Sequence, residues 1–458
     1  MKCYTKLLYA AIVGLLFCAC SSDPLPGPAL PEATANPHAV SEEEALSRLE
    51  ALLRDWDGEG TRSGGVRRIA SVATVTAGDV CQLRTRGEGG DPVDNMFYLV
   101  NFEDGAGYAI LGADDRLEPV YVIADEGSLA ADRLHYAATV SDEQAEADGE
   151  FVYPLQLILD SAAGSIATAG AGGPISGIGG HGPGGWEPQP TVVDRKESDY
   201  VVCHLTGPLL KTKWHQRAPY NLFCPMVNGA HCVAGCGAIA FAQVLAYHAE
   251  ANDITFNQFG SFAFDNAFWT NLKNGVRYPS RVREPQLGIG MTAETMAVGQ
   301  FIYAVGVGIH ADYGLGETSS KRENVANVFR NLADKNIGYK NVQLGTINAK
   351  QARTLIHEKK LPLWYRGGNS RGGHAWVLDG WREDQKTITT IFSNGTSSTT
   401  TVDRELVHAN FGWEQDDRIY NGFYAFNVFD PEGAGPIIKT YGTQYTNNLR
   451  VITYELSK

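Results

Sequence analysis

Gly235-Cys236-Gly-Ala-Ile-Ala-Phe-Ala-Gln243-Val-Leu-Ala-Tyr-His248 is the stretch on which the reading of this chain turns. A cysteine follows a glycine and precedes Ala238, Ala240, Phe241, Val244 and Leu245. That spacing predicts a buried helix over 235–249 with Cys236 in its first turn. A thiol attacks only as thiolate, and a free cysteine has a pKa near ~8.5. The positive end of a helix is one device that lowers it, and a neighbouring histidine is another.

Working outward, Gly372-Gly-His374-Ala-Trp-Val-Leu-Asp379-Gly supplies that histidine in a strand-like segment. The glycines beside it, Gly373 among them, leave room for a substrate backbone. Upstream lie Trp214-His-Gln216 and Pro219-Tyr-Asn221. Thiolate attack on a carbonyl pushes charge onto oxygen, which needs a backbone N–H and a neutral side-chain donor. Gln216, flanked by Trp214, is the candidate donor. An imidazole needs a partner that fixes its tautomer. His408-Ala-Asn410-Phe-Gly-Trp413 offers Asn410 for that task and Trp413 as an apolar shield.

Blander readings stand beside these. Cys236 is also suited to be a small core residue, and Cys232 is the rival nucleophile. Gln216 also reads as a surface residue and Trp413 as core packing. Cys224, His231, Cys232 and Cys236 lack the C-x2-C pairing of structural zinc sites. No metal and no cofactor is therefore expected. A Cys224–Cys232 disulfide would leave Cys236 free. His215, His231, His248 and His408 read as solvated or packing residues.

The chain has 458 residues, enough for two domains behind an exported leader. Its net charge of −14 argues against nucleic acid or an anionic membrane surface as the main partner. Residues 1–19 carry a basic start, the apolar run Leu7 to Phe17 and small residues before Cys20. They read as a lipoprotein-type signal peptide, with an ordinary signal peptide as the alternative. Cys20 is the expected lipidated residue, and the membrane is touched only through that anchor. The expected location is the outer membrane, the cell surface or, after processing, the medium. Beyond the leader, Cys81, Cys203, Cys224, Cys232 and Cys236 are too few and odd in number for a disulfide framework.

Residues 20–40 read as a tether. Ser41-Glu-Glu-Glu44 opens a helix with Leu46, Leu49 and Leu53 at helical spacing. Segments 97–102 and 108–111 read as a β-hairpin, 119–123 as a further strand and 128–164 as helical. So 41–165 is a small α+β unit. Residues 166–198 are a glycine-rich linker suited to proteolytic nicking. From 199, helices are expected at 235–249, 292–304 and 347–359. Strands are expected at 361–366, 374–379, 387–393, 423–428 and 450–455. Helices first and strands second predict an α+β domain with a cleft between its parts.

Four ordered blocks then carry a resemblance: "KTKWHQRAPYNLFCP", "GCGAIAFAQVLAYH", "GGHAWVLDG" and "HANFGW". Together they resemble the streptopain family of papain-like cysteine peptidases. The upstream "NFEDGAGYAILGADDRLEPV" resembles the inhibitory propeptide of that family. The resemblance implies a papain-like two-part peptidase domain over 199–458, preceded by an inhibitory propeptide over 41–165. It implies Cys236 as nucleophile, His374 as general base and acid, Gln216 as oxyanion donor, and Asn410 beside an active-site tryptophan. Polypeptides are the implied substrates, with apolar side chains preferred before the scissile residue, and the propeptide is the implied intramolecular inhibitor. The chain departs from the family where Asn410-Phe-Gly-Trp-Glu-Gln415 replaces Asn-Trp-Gly-Trp-Gly-Gly. Two other functions fit a Cys-His pair: a catalytically silent surface-binding protein and a transglutaminase-like acyltransferase.

Overall fold

The alternation at 97–111 closes into an antiparallel hairpin, Asn95–Phe102 against Tyr108–Gly112, with Tyr98 opposite Leu111. The computed structural model describes residues 36–58, 66–80, 93–140, 152–170, 191–284, 290–368, 373–415, 418–429 and 448–457. The expected signal peptide, Cys20, most of the tether, Cys81, Gly372 and the centre of the glycine-rich linker lie outside them. Residues 38–458 form one compact unit; of the other, 1–37, only Asn36 and Pro37 are described.

The architecture is α+β. In the N-terminal subdomain the helix Glu42–Gly58 starts as its sequence directs, with the Ser41 hydroxyl accepting the Glu44 N–H at 3.2 Å. Its apolar stripe, Leu49, Leu52 and Leu53, is buried on the hairpin through Tyr98, Val100, Ala109 and Leu111. Strands Ile69–Thr76 and Val122–Ala124 flank that hairpin. Helix is observed at Ala131–Thr139 and Tyr153–Gly170, the latter running past the expected end at 165.

The C-terminal part divides into a helical half and an antiparallel β half. The central helix Cys236–Asn252 is apolar on every side, so it must be buried on every side. Helices Asn266–Arg277, Ala293–Gly308 and Arg322–Asp334 pack around it. Its other flank meets the strands Leu363–Gly368 and Gly373–Phe392. His248, fully buried, pins this helix to the Tyr454 hydroxyl at 2.6 Å. Burial pushes that imidazole down to about 4.

The expected separate strands at 374–379 and 387–393 are one strand, Gly373–Phe392, paired with Ser397–Asn410. The stretch between the two expected strands includes the charged Trp381-Arg-Glu-Asp384. It stays in the sheet because Asp384 accepts from Arg382 at 2.9 Å and Arg404 at 2.6 Å. Nor is the linker end at 192–198 free of structure: Val192–Glu197 and Val201–Thr206 pair with this long strand. The segment expected as helix at 347–359 is helical at Ala349–Arg353 and continues as a π-turn, Thr354–Glu358.

One sheet of 12 strands joins both parts of the chain. Val122–Ala124 of the subdomain lies antiparallel to Gly422–Ala425, with Ile123 opposite Phe423. The Asp125 N–H extends the pairing to the Asn421 carbonyl at 3.0 Å.

Candidate active site

Cys236 begins the central helix, and the turn before it is clamped from two sides. Gly235 has φ +89°, where a Cβ would meet Thr318 Cγ2 at 2.9 Å. Only glycine fits such a position without strain. The Thr318 hydroxyl donates to the Val233 carbonyl at 2.6 Å. From the other side the Ala234 N–H donates to the Gln216 carbonyl at 2.9 Å, and Asn221 Nδ2 to the Cys232 carbonyl at 3.0 Å. The loop carrying Gln216 is therefore stitched to the backbone two residues before the cysteine. Cys236 is half-buried, while Cys224 and Cys232 are buried free thiols. Burial and then the neighbouring Cys232 push Cys224 up to about 12. Among the described residues these cysteines and His231 form no metal-binding group.

His374 lies on the strand that faces the start of this helix, opposite Gly367, with Ala375 opposite Arg366. Its ring is buried among Trp376, Phe411, Trp413 and Tyr153, with centroids 6.5, 6.2, 6.5 and 6.0 Å away. Tyr153 is the first residue of the subdomain's last helix, so the N-terminal part reaches the imidazole directly. The Phe411 carbonyl can only accept, so His374 Nε2 carries the proton that bonds it at 2.7 Å.

That bond fixes the tautomer, with the proton on Nε2 and Nδ1 as the basic nitrogen. Burial raises the Cys236 thiol above its ordinary value, although surface area leaves the residue half-exposed; protein atoms crowd the sulfur itself. The Ala375 N–H and Arg366 act against burial without overcoming it. Burial also drives His374 down to about 4, against the pull of the Phe411 carbonyl. Both groups are held neutral.

Asn410 does not reach His374. Its Nδ2 donates to the Thr212 carbonyl at 3.0 Å, and its Oδ1 accepts from Gln243 at 3.4 Å and from the Gly412 N–H at 3.1 Å. The Thr212 hydroxyl closes the ring on Gln243 at 2.6 Å. Asn410 thus fastens its strand to the central helix. Trp413 does stand edge-on to the imidazole, at 73°. Trp214 is buried and backs the Gln216 loop; it offers substrate no surface. Gly373 serves packing more than substrate approach, since a Cβ there would meet the Gly367 carbonyl at 2.6 Å and Arg366 Nη2 at 2.9 Å.

Several residues at the site left no mark in the sequence pattern. Tyr153 and Arg366 come from segments without a motif. Asn421 accepts the Phe411 N–H on Oδ1 at 2.9 Å, fixing the peptide whose carbonyl holds His374. His408, read as a solvated or packing residue, is instead bonded on both ring nitrogens, to Asp379 at 2.6 Å and Asp125 at 2.9 Å.

Residues 214–424 match the profile of the peptidase C10 family. This segment is similar to that family. The chain is similar to streptopain of Streptococcus pyogenes, 25% identical over 247 residues that cover 48% of this chain and 55% of streptopain. It thus spans about half the length of that relative. It is also similar to the thiol protease/hemagglutinin PrtT of Porphyromonas gingivalis, 22% identical over 51% of this chain and 24% of that protein. Among solved structures it is similar to a fragment of prointerpain A from Prevotella intermedia, with TM-score 0.45, 20% identity, and coverage of 78% of this chain and 95% of that one. Active interpain A from the same organism gives TM-score 0.35, 22% identity, and 54% and 94% coverage. Cys236 and His374 both fall inside the C10 segment, and the subdomain lies outside it.

Proposed function

We propose that this chain is an exported cysteine endopeptidase made as a latent precursor. One observation carries the reading: within a C10 segment, a cysteine opens a buried helix and faces the strand that bears His374. Cys236 is the nucleophile, and its N–H with the Gln216 side chain holds the oxyanion. His374 takes the thiol proton, then protonates the leaving amine and activates water for deacylation. Polypeptides are the substrates. Cys20 carries the lipid anchor.

The N-terminal subdomain is the inhibitor in this reading. It sets Tyr153 beside His374 and shares the sheet through Val122–Ala124, while the imidazole stays on Phe411. Cleavage between Gly170 and Val192 would free the subdomain to leave on dilution, and its departure would let the imidazole turn to the sulfur.

The test is the full chain nicked in 171–190. Casein digestion and labelling of Cys236 by an epoxysuccinyl inhibitor should both appear once the nicked pieces are diluted apart, and vanish in Cys236→Ala. The neutral thiol and imidazole favour a second reading, a silent binding protein. A nicked chain that takes no label at Cys236 would establish that reading and end the first.

A further inference from the structure

His408 lies on Ser397–Asn410 beneath the seam between the subdomain and the peptidase sheet, 2% exposed. Both of its ring nitrogens meet carboxylates, Nδ1 at Asp379 and Nε2 at Asp125. Ionised carboxylates only accept, so both nitrogens donate and the ring is an imidazolium. Burial works against that charge, but Asp379 and then Asp125 outweigh it and lift His408 to about 10.

The two carboxylates differ in kind. Asp379 is fully buried, and the Leu210 N–H bonds its second oxygen at 2.8 Å. It belongs to the peptidase sheet and stays with His408. Asp125 comes from the subdomain and is 41% exposed on its side chain. It directly follows the three residues paired with Gly422–Ala425. Next to it Glu126 pairs with Lys213 across the same seam. On the peptidase side, Phe423 packs its ring against His408 with centroids 5.1 Å apart. Gly380 gives the ring room, since a Cβ there would lie 2.7 Å from His408 Cβ.

We propose that His408, held by Asp379, is a carboxylate-binding socket on the peptidase sheet that recognises an extended strand with an acidic residue just past the residues paired to Gly422–Ala425. Its occupant is the propeptide strand 122–125, both before cleavage and as a separate piece afterwards. Main-chain pairing at the sheet edge gives affinity, and the charged socket gives register. A neutral residue at 125 would leave a buried imidazolium with an unused donor, which is costly. The socket rests on the subdomain being the inhibitor, but its test reads binding and not activity.

The test uses the full chain carrying Cys236→Ala, nicked within 171–190 and followed by native mass spectrometry over a dilution series. The parent pieces should stay together. Asp125→Asn should raise their dissociation constant about 10-fold or more, the loss expected for a charge-assisted hydrogen bond. His408→Gln should weaken binding similarly, and the double substitution should cost no more than the larger single one. Melting of the un-nicked variants checks folding. If His408→Gln does not fold, the exposed Asp125 still decides, because Asp125→Glu should recover part of the loss. Unchanged binding in Asp125→Asn, independent effects in the double variant, or immediate separation of the parent pieces would overturn the proposal.

Discussion

Alkylation of Cys236 against pH should separate the intact chain from the nicked one by a calculable factor. In the intact chain burial holds the thiol above its ordinary value of 9.0. At pH 5 its thiolate fraction is then at most about one in 10,000. Cysteines paired with an imidazolium titrate at roughly 4 and are mostly ionised at pH 5, which is the state expected of a nicked chain. Nucleophilicity falls with pKa, with a Brønsted slope of about 0.4–0.5, so five units cost a factor of about 100–300. The two effects oppose each other, and ionisation wins. Nicking should raise the iodoacetamide rate at pH 5 about 30- to 100-fold, with parity near pH ~7 and the intact chain the faster above it. Mass-spectrometric counting of modified Cys236, with the other thiols as internal controls, measures it. An intact chain whose alkylation rate already levels off between pH 4 and 6 would refute the neutral resting site.

Three further outcomes follow from the same geometry. Asn421→Ala removes the acceptor of the Phe411 N–H, loosens the carbonyl that holds His374, and should raise Cys236 alkylation of the intact chain several-fold; an unchanged rate would disconnect Asn421 from the site. Gly235→Ala places a Cβ against Thr318 at φ +89° and should cost about 1–3 kcal/mol in urea unfolding, with a loss inside experimental error rejecting the clamp. His248, depressed from 6.5 to about 4 in the folded chain, contributes stability that is complete above pH 6.5 and lost as pH falls to about 4. The shift is worth about 3 kcal/mol, so His248→Gln should flatten the acid limb of a stability–pH curve; an acid limb of unaltered slope would assign that loss to other groups.

The parts of the site that follow local rules were legible in the sequence. A cysteine after glycine at the head of an all-apolar run is a local pattern, and the helix Cys236–Asn252 begins there. His374 stands in a strand because Ala375, Trp376, Val377 and Leu378 leave no polar face for water. What was illegible depends on distant partners. Asn410 reads as a histidine's companion, yet Thr212 and Gln243 compete for its amide and win. Arg382, Asp384 and Arg404 lie outside the expected strands because their mutual neutralisation, which reaches across a hairpin from Asp384 to Arg404, is invisible to periodicity. His408 reads as packing because its two carboxylates lie at 379 and 125, on either side of the seam. Pattern reports which residues a segment offers; competition among distant acceptors decides which bonds they make.

That competition also explains how a site with the right residues is held at rest. A helix N-terminus favours a thiolate by about 0.3–1 kcal/mol, up to about 2 when partly buried. Against burial of the sulfur this is too little, and an imidazolium beside it is needed. One ring nitrogen of His374, Nε2, is held on a carbonyl, and the hold rests on one short run of backbone. His374 donates to the Phe411 carbonyl, the Phe411 N–H donates to Asn421 Oδ1, and the Asn421 carbonyl takes the Asp125 N–H. Each bond fixes the acceptor of the one before it, and the last lies beside the propeptide strand paired to Gly422–Ala425. In the reading proposed above, removing that strand would withdraw the final bond and the Tyr153 ring together, so one event would both open the cleft and let the imidazole reorient. Inhibition of this form would need no propeptide residue to touch the sulfur.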